Sequence, residues 1–408
     1  MLSIDEERFR ESFETYSEIG ATDAGGLDRL ALTDEDRRAR NRFVDDLNAL
    51  GLEVRIDEIG NVFGRREGTD PDADPVLIGS HLDSQPSGGR FDGQLGVLSA
   101  LEALRTLADQ GIETERPIEI VNWTNEEGSR FQHAMLGSAV VTGETDLETA
   151  LDMTDDDGVR LGDELERIGY DGDHPVDLGD VHGHVELHIE QGPTLAAHGN
   201  AVGVVEGVYG ISWLDVTIRG ESDHAGPTPM HARRDAMAAA ADAVSAINGL
   251  PTRLSADAVA TVGEFDLEPD SINVIPNQAE FSVDLRSADD DVVDRAVDRT
   301  KREIEAACDR HGTSADVEDV WRIPRTEFDA SVCDVLASAA ETVGVDYERL
   351  VSGAGHDAKY VSDIAPTAML FVPSVEGRTH TESEYTAWED CVAGANVYAN
   401  AALALARD

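Results

Sequence analysis

His81, Asp83 and Asp92 follow the apolar run VLIGS, with Asp92 eleven residues after His81 in GGRFDG. Glu126 and Glu127 follow EIVNWTN, His188 and Glu190 lie in VELHIEQG, and His380 lies in GRTH. Imidazole and carboxylate ligands suit zinc, or manganese or cobalt. In the His-x-Asp pair, Asp83 is placed to hold the far ring nitrogen of His81 and fix its tautomer. Two adjacent glutamates allow a division of labour. One serves as ligand and its neighbour shuttles a proton to and from a metal-activated water.

Each of these residues also has a plainer reading. A lone histidine at a strand end is more often a structural hydrogen-bonder. A Glu-Glu pair is expected by chance in a chain with 83 acidic residues. His182 and His184 share the face of His188 at period two, and spacing does not choose among the three. GGRFDGQLG also reads as a Gly-rich loop. GNAVGVVEGVYG lacks a GK[ST] ending, which argues against a phosphate-binding loop. No GxSxG elbow occurs and no cysteine sits in a motif, so a covalent nucleophile is disfavoured.

These groups need a scaffold, and the hydrophobic pattern supplies one. ERFRESFETYSEIG and TDEDRRARNRFVDDLNALG read as helices, the second opened by a Thr/Asp cap and stopped at Gly51. LEVRIDEIGNVFGRREG alternates and turns at Gly60-Asn61, like a hairpin. PVLIGSHLDS (75–84), PIEIVNWTNEEG (117–128) and HVELHIEQG (184–192) read as buried strands, with the apolar helix GQLGVLSALEALRTLADQG between the first two. Alternation of this kind predicts an α/β domain, a mixed sheet between helices. In open sheets of that class ligands bind beyond the carboxyl ends of the strands, where several of the polar residues above sit. From Tyr209 the pattern becomes strand, helix, strand, strand, helix, strand, the order of a ferredoxin-like α+β sandwich. After about Arg325 a helix around 330–343, the strand TAMLFVP and a final helix to about Leu405 follow. The expected organisation is a catalytic domain of residues 1–209 and 326–408, interrupted by an inserted domain of residues 210–325.

The 408 residues suit two domains, and 41% hydrophobic residues are enough to build their cores. With 83 acidic and 32 basic residues the net charge is −51, so phosphate backbones and anionic membranes are repelled and nucleic acid is not an expected partner. No apolar run reaches the roughly 18 residues that span a bilayer. The acidic N-terminus has no signal-peptide core, and three widely spaced cysteines fit a reducing cytoplasm. Lys301 and Lys359 are the only lysines. A diffuse acidic excess nearly free of lysine fits a halophilic protein, where salt screens self-repulsion.

Taken together, GSHLDSQPSGGRFDGQLGVL, WTNEEGSRF, HIEQGP, DHAGPTPM, INVIPNQAEFSVDLR, SGAGHDA and THTESEYT resemble the hydantoinase/carbamoylase branch of the dinuclear zinc (M20-type) amidohydrolases. That branch includes N-carbamoyl-L-amino-acid hydrolases, allantoate amidohydrolases and β-ureidopropionases. The resemblance runs in order from about Gly25 to the C-terminus. It implies an interrupted two-domain architecture whose inserted domain makes a homodimer.

It also implies two divalent ions, zinc first and manganese or cobalt as alternatives. His81 and His188 would bind one ion, Glu127 and His380 the other, and Asp92 would bridge both. Glu126 would be the general base and acid, and Asp83 would orient His81. Arg286 and Asn273 would hold a substrate carboxylate, with Gln191 beside them. His224 would polarise the substrate carbonyl from the partner subunit, and His356 would sit in a loop that closes on the substrate. The implied reaction is hydrolysis of N-carbamoyl-L-amino acids to the amino acid, ammonia and carbon dioxide. Allantoate or β-ureidopropionate are the alternative substrates. A metal-dependent binding protein without catalysis is the non-enzymatic alternative, against which the intact Glu126 argues.

Overall fold

The computed structural model describes residues 1–407. In chain order the strands are β1 (Glu53–Ile56), β2 (Val62–Arg66), β3 (Val76–His81), β4 (Ile118–Trp123), β5 (Gly183–Ile189) and β6 (Val202–Val208). β7 (Gly210–Arg219), β8 (Val259–Glu268), β9 (Gln278–Ser287) and β10 (Ser314–Ile323) follow, then β11 (Thr326–Glu327), β12 (Tyr347–Ser352) and β13 (Thr367–Val372). Among the described residues, nine strands form one mixed sheet and four form a second. The chain divides into two compact units, Met1–Gly207 with the chain from Glu327 onward, and Val208–Thr326.

The large sheet runs β1-β2-β4-β3-β5-β13-β6-β11, with β12 also on β6. Its centre, β4-β3-β5-β13, is parallel, and β2 and β6 flank it antiparallel. These four strands are buried along their whole length, which accounts for the apolar runs of β3, β4 and β13, while β5 alternates and buries His184, Glu186 and His188 as well. The helices Gln94–Asp109 and Trp388–Leu405 pack on β3 and β5. A second apolar layer gathers Phe63, Leu77, Val121, Trp123, Val141 and Val361. Sequence signals account for the helix starts. Thr33 accepts from Asp36 N to open Asp34–Ala49, and three acids fill that first turn. Leu2 is tied at both backbone groups to the Asn400 amide, and Ile4 N donates to Asn396 Oδ1.

The second unit has the order βαββαβ and the antiparallel sheet β10-β7-β9-β8. The helices Ala236–Asn248 and Asp290–His311 supply Ala239, Ala243, Ile247 and Ile304 to its core. Leu214, Val216, Ile218, Phe281, Val283 and Leu285 meet them from the sheet. Strict alternation in β7 and β9 turns Trp213, Asp215, Asp284 and Arg286 to the opposite face.

Several elements differ from the sequence expectation. The first helix after Tyr209 begins only at Ala236, where Asp235 caps Ala238 N, and a single 3₁₀ turn at Met230–Ala232 precedes it. GNAVGVVEGVYG, noted only for its glycines, supplies β6. YERLVS forms β12, and its charges hide it from a hydrophobic pattern. No described helix is long and apolar enough to cross a membrane.

Candidate metal centre

β3 lies between β4 on one side and β5 on the other, so successive parallel strands leave it in opposite directions. The crevice beyond the carboxyl ends at such a reversal is where ligands bind in open sheets. His81 ends β3, Glu126 and Glu127 follow β4, and His188 is the penultimate residue of β5. Asp92 precedes the helix Gln94–Asp109, and His380 lies in the loop after β13.

These side chains converge. Asp92 Oδ1 lies 2.9 Å from His188 Nε2 and 3.5 Å from His81 Nε2. Asp92 Oδ2 lies 3.5 Å from His380 Nε2, which is 3.5 Å from Glu127 Oε2. Two groups able to hold a metal ion result, His81–Asp92–His188 and Asp92–Glu127–His380, with Asp92 common to both. Glu126 Oε2 stands 3.5 Å from His81 Nε2.

The backbone sets the tautomers. His81 Nδ1 meets Asp83 O at 3.1 Å and His188 Nδ1 meets Ile189 O at 3.0 Å. A carbonyl only accepts, so each Nδ1 carries the proton and each Nε2 presents a lone pair; that of His188 accepts from Gly93 N at 3.3 Å, and that of His81 is left for a ligand. Gly93 permits this approach, because a Cβ there would overlap the His81 ring, and its φ of +61° is one that side chains rarely adopt.

A cation fits this set. His81 Nε2 is buried without a hydrogen-bond partner. Burial pushes the Glu126 carboxyl well above its usual range, His81 opposes the shift, and Asp357, Glu127 and Asp92 reinforce it. Burial and then Asp92 likewise push Glu127 up. Asp92 is held well below its usual range by His188 and His81, against its burial. Crowded carboxylates with an unpartnered imidazole are relieved by positive charge, and an oxygen and imidazole donor set suits a divalent ion.

The remaining residues of interest are placed as follows. The Asp83 carboxylate is not the closest partner of His81. Its Oδ1 lies 3.6 Å from Nδ1, while its oxygens accept from Glu126 N (3.3 Å) and Glu127 N (3.2 Å). Asp83 thus holds His81 by its carbonyl and the two glutamates by its side chain. Gln191 Nε2 donates to Asp92 Oδ2 at 2.8 Å, within the ligand cluster. The His356 ring is buried 4.4 Å from the His188 ring, centroid to centroid, and burial followed by His188 lowers its pKa. Glu190 accepts from Thr194 N and Leu195 N and caps a short helix instead of joining the cluster.

In the inserted unit, exposed His224 and exposed Asn273 lie on paired loops, with Ala225 N donating to Asn273 O. Arg286 lies near the far end of β9, ion-paired to Asp284 at 2.8 Å. Eight strand steps separate Gln278 from Arg286, about 27 Å. Within one chain Arg286 and Asn273 thus lie towards opposite ends of β9.

Three further residues touch the cluster and were not singled out from sequence. Gln85 Nε2 donates to Glu127 Oε2 at 2.8 Å. Thr379 Oγ1 lies 3.3 Å from Asp92 Oδ2, and Glu384 accepts from Asp92 N at 3.1 Å. Their only signal was proximity in sequence to His81 and His380.

Residues 77–404 match the model of peptidase family M20/M25/M40. The chain belongs to that family. Among M20 relatives it is 42% identical over 400 residues to an N-carbamoyl-L-amino-acid amidohydrolase of Rhizobium meliloti, covering 98% of this chain and 96% of the relative. It is 32% identical over 402 residues to the allantoate amidohydrolase of Escherichia coli K12, covering 98% of each. A hydantoinase/carbamoylase-family amidase from Burkholderia multivorans superposes with a TM-score of 0.95 at 44% identity, covering 100% of this chain and 99% of that one.

Proposed function

We propose that this M20-family chain is a metal-dependent amidohydrolase that releases L-amino acids from their N-carbamoyl derivatives. The observation that carries the reading is Asp92, one carboxylate shared between two ligand groups with Glu126 beside them. The relatives named for this reaction, aligned over nearly their whole length, support the substrate class. His81 and His188 would hold one divalent ion, Glu127 and His380 the other, and Asp92 both. Zinc is the first candidate, with manganese or cobalt able to replace it. When bound, the ions would lower the pKa of a water molecule and polarise the carbamoyl oxygen.

This chain's own residues do the rest. Glu126 takes a proton from the attacking water and delivers it to the leaving amine nitrogen. The buried, crowded setting that raises its proton affinity suits both halves of that task. Asp83 steadies Glu126 and Glu127 through their amides and His81 through its carbonyl. Arg286, ion-paired to Asp284 in the single chain, offers a planar fork to the substrate carboxylate. His224 and Asn273, an entire strand away, act on a substrate in the partner subunit's site. The homodimer is built through the inserted unit, which leaves Trp213 and Trp321 exposed in the single chain. Gln191 and His356 border the pocket. The acidic, lysine-poor composition supports a salt-adapted cytoplasmic enzyme.

The test is ammonia and amine release from N-carbamoyl-L-amino acids, allantoate and β-ureidopropionate, with metal analysis of the same preparation. Turnover of N-carbamoyl-L-amino acids well above the other two is expected. A preference for allantoate would move the chain to that branch, and silence on all three with metal bound would make it a binding protein.

A further inference from the structure

We infer that Glu384 is the positioning residue that holds Asp92 between the two ligand groups; this rests on the metal-centre reading above. Glu384 is buried, 5% exposed, four residues after His380. Its Oε1 accepts from Phe91 N at 3.0 Å and from Asp92 N at 3.1 Å. Its Oε2 lies 3.3 Å from Thr379 Oγ1, and the same hydroxyl lies 3.3 Å from Asp92 Oδ2 and accepts from Gln191 Nε2 at 3.0 Å. Asp92 is thus gripped at both ends, by its amide through Glu384 and by its carboxylate through Thr379 and Gln191.

The grip also ties two loops that no strand pairing joins. His380 sits at φ +53°, a conformation that a β-carbon disfavours, so its loop needs an outside anchor. Glu384 provides one by docking that loop onto the GGRFDG turn. The turn is shaped to receive it. A Cβ on Gly89 would overlap the Glu384 carboxyl group, so glycine at 89 leaves space for that side chain. Gly89 itself is not in the left-handed region, so what alanine there meets is the carboxyl group.

Because Asp92 belongs to both groups, loss of the grip should loosen both ions. Partners that orient ligands are typically worth about ten- to a hundredfold in metal affinity. Zn²⁺ titration against a chelating dye, with circular dichroism and melting as fold controls, reads this directly. Glu384→Ala should weaken both Zn²⁺ affinities by roughly that factor. In the reloaded variant kcat should fall with little change in KM. Glu384→Gln keeps an oxygen for the two amides and should recover most of the loss. Gly89→Ala should reproduce Glu384→Ala by displacing the carboxylate, and the double variant should be no worse than either single one. Gln85→Ala, which among the ligand residues loses a side-chain contact to Glu127 alone, should weaken one ion alone.

A folded Glu384→Ala with wild-type Zn²⁺ affinity would overturn the inference, as would Gly89→Ala and Glu384→Ala effects that simply multiply. If Glu384→Ala does not fold, Gly89→Ala carries the test by itself. A wild-type enzyme that binds no Zn²⁺ sinks the metal-centre reading. Two bound ions that ignore both variants sink only the role of Glu384.

Discussion

Two ends of one strand carry histidines with opposite fates. His184, near the start of β5, and His188, near its end, are both buried and four residues apart. At the amino end His184 pairs in register with Thr367, and neither of its ring nitrogens has a hydrogen-bond partner. Burial alone pushes its pKa down to about 3, so it is neutral. At the carboxyl end His188 meets Asp92, and that charge with Glu186 raises its pKa against its burial. The strand treats both residues alike. What differs is the company, because only one end gathers loops from the neighbouring parallel strands. Chemistry in this molecule belongs to an end of the sheet, and burial of a titratable side chain does not mark it.

The contrast can be broken most forcefully at its functional end. Exhaustive chelation should abolish turnover and zinc, manganese or cobalt should restore it. His188→Ala should lose nearly all activity while His184→Leu keeps it. Comparable losses in the two variants would erase the distinction. Next in size, Glu126→Gln keeps the shape but cannot take a proton. A kcat loss of about 10²–10⁴ with metal content retained is expected, and a rate above a tenth of wild type would move the role, with Glu127 the first suspect.

Arg286→Leu should cost less, about ten- to a hundredfold in kcat/KM for carboxylate substrates, the worth of a charge-assisted hydrogen bond. The matching carboxamides should change little. Equal losses on both would make Arg286 structural.

The smallest effect belongs to the other end of β5. The folded pKa of His184 lies below the ordinary 6.5, at about 3. Its contribution to stability is complete above pH 6.5 and is lost as pH falls towards 3. At pH 5 that loss is about 2 kcal/mol. His184→Leu should remove it, so the stability gap between pH 7.5 and pH 5 should narrow in urea titrations. An unchanged gap would show that His184 titrates normally.

How legible all this was depended on distance along the chain. Period and caps marked the long helices, apolar runs marked β3, β4 and β13, and alternation marked β5. The polar residues behind those runs were visible for the same reason. His182, His184 and His188 were inseparable, because alternation gives a face and not the strands alongside. Asp83 faces His81 Nδ1 with its carboxylate at 3.6 Å, but its nearer carbonyl at 3.1 Å and its bonds to two amides had no signal in the sequence. Glu384 looked like one more acid among 83. Only its burial against a turn nearly three hundred residues earlier sets it apart. Arg286 and Asn273 look like neighbours on paper, but the strand between them carries them to opposite ends.

The strand order also dictates a sequence of events during synthesis. β13 lies between β5 and β6, although about 160 residues of chain separate β6 from it. A growing chain thus exposes two inner strand edges until residue 372 has left the ribosome, and the tether of Leu2 to Asn400 closes later still. The four-stranded unit is continuous in sequence and can complete its sheet in the meantime. The nascent protein carries one finished unit and one unfinished unit with open edges, a state exposed to mispairing that folding helpers would have to shield.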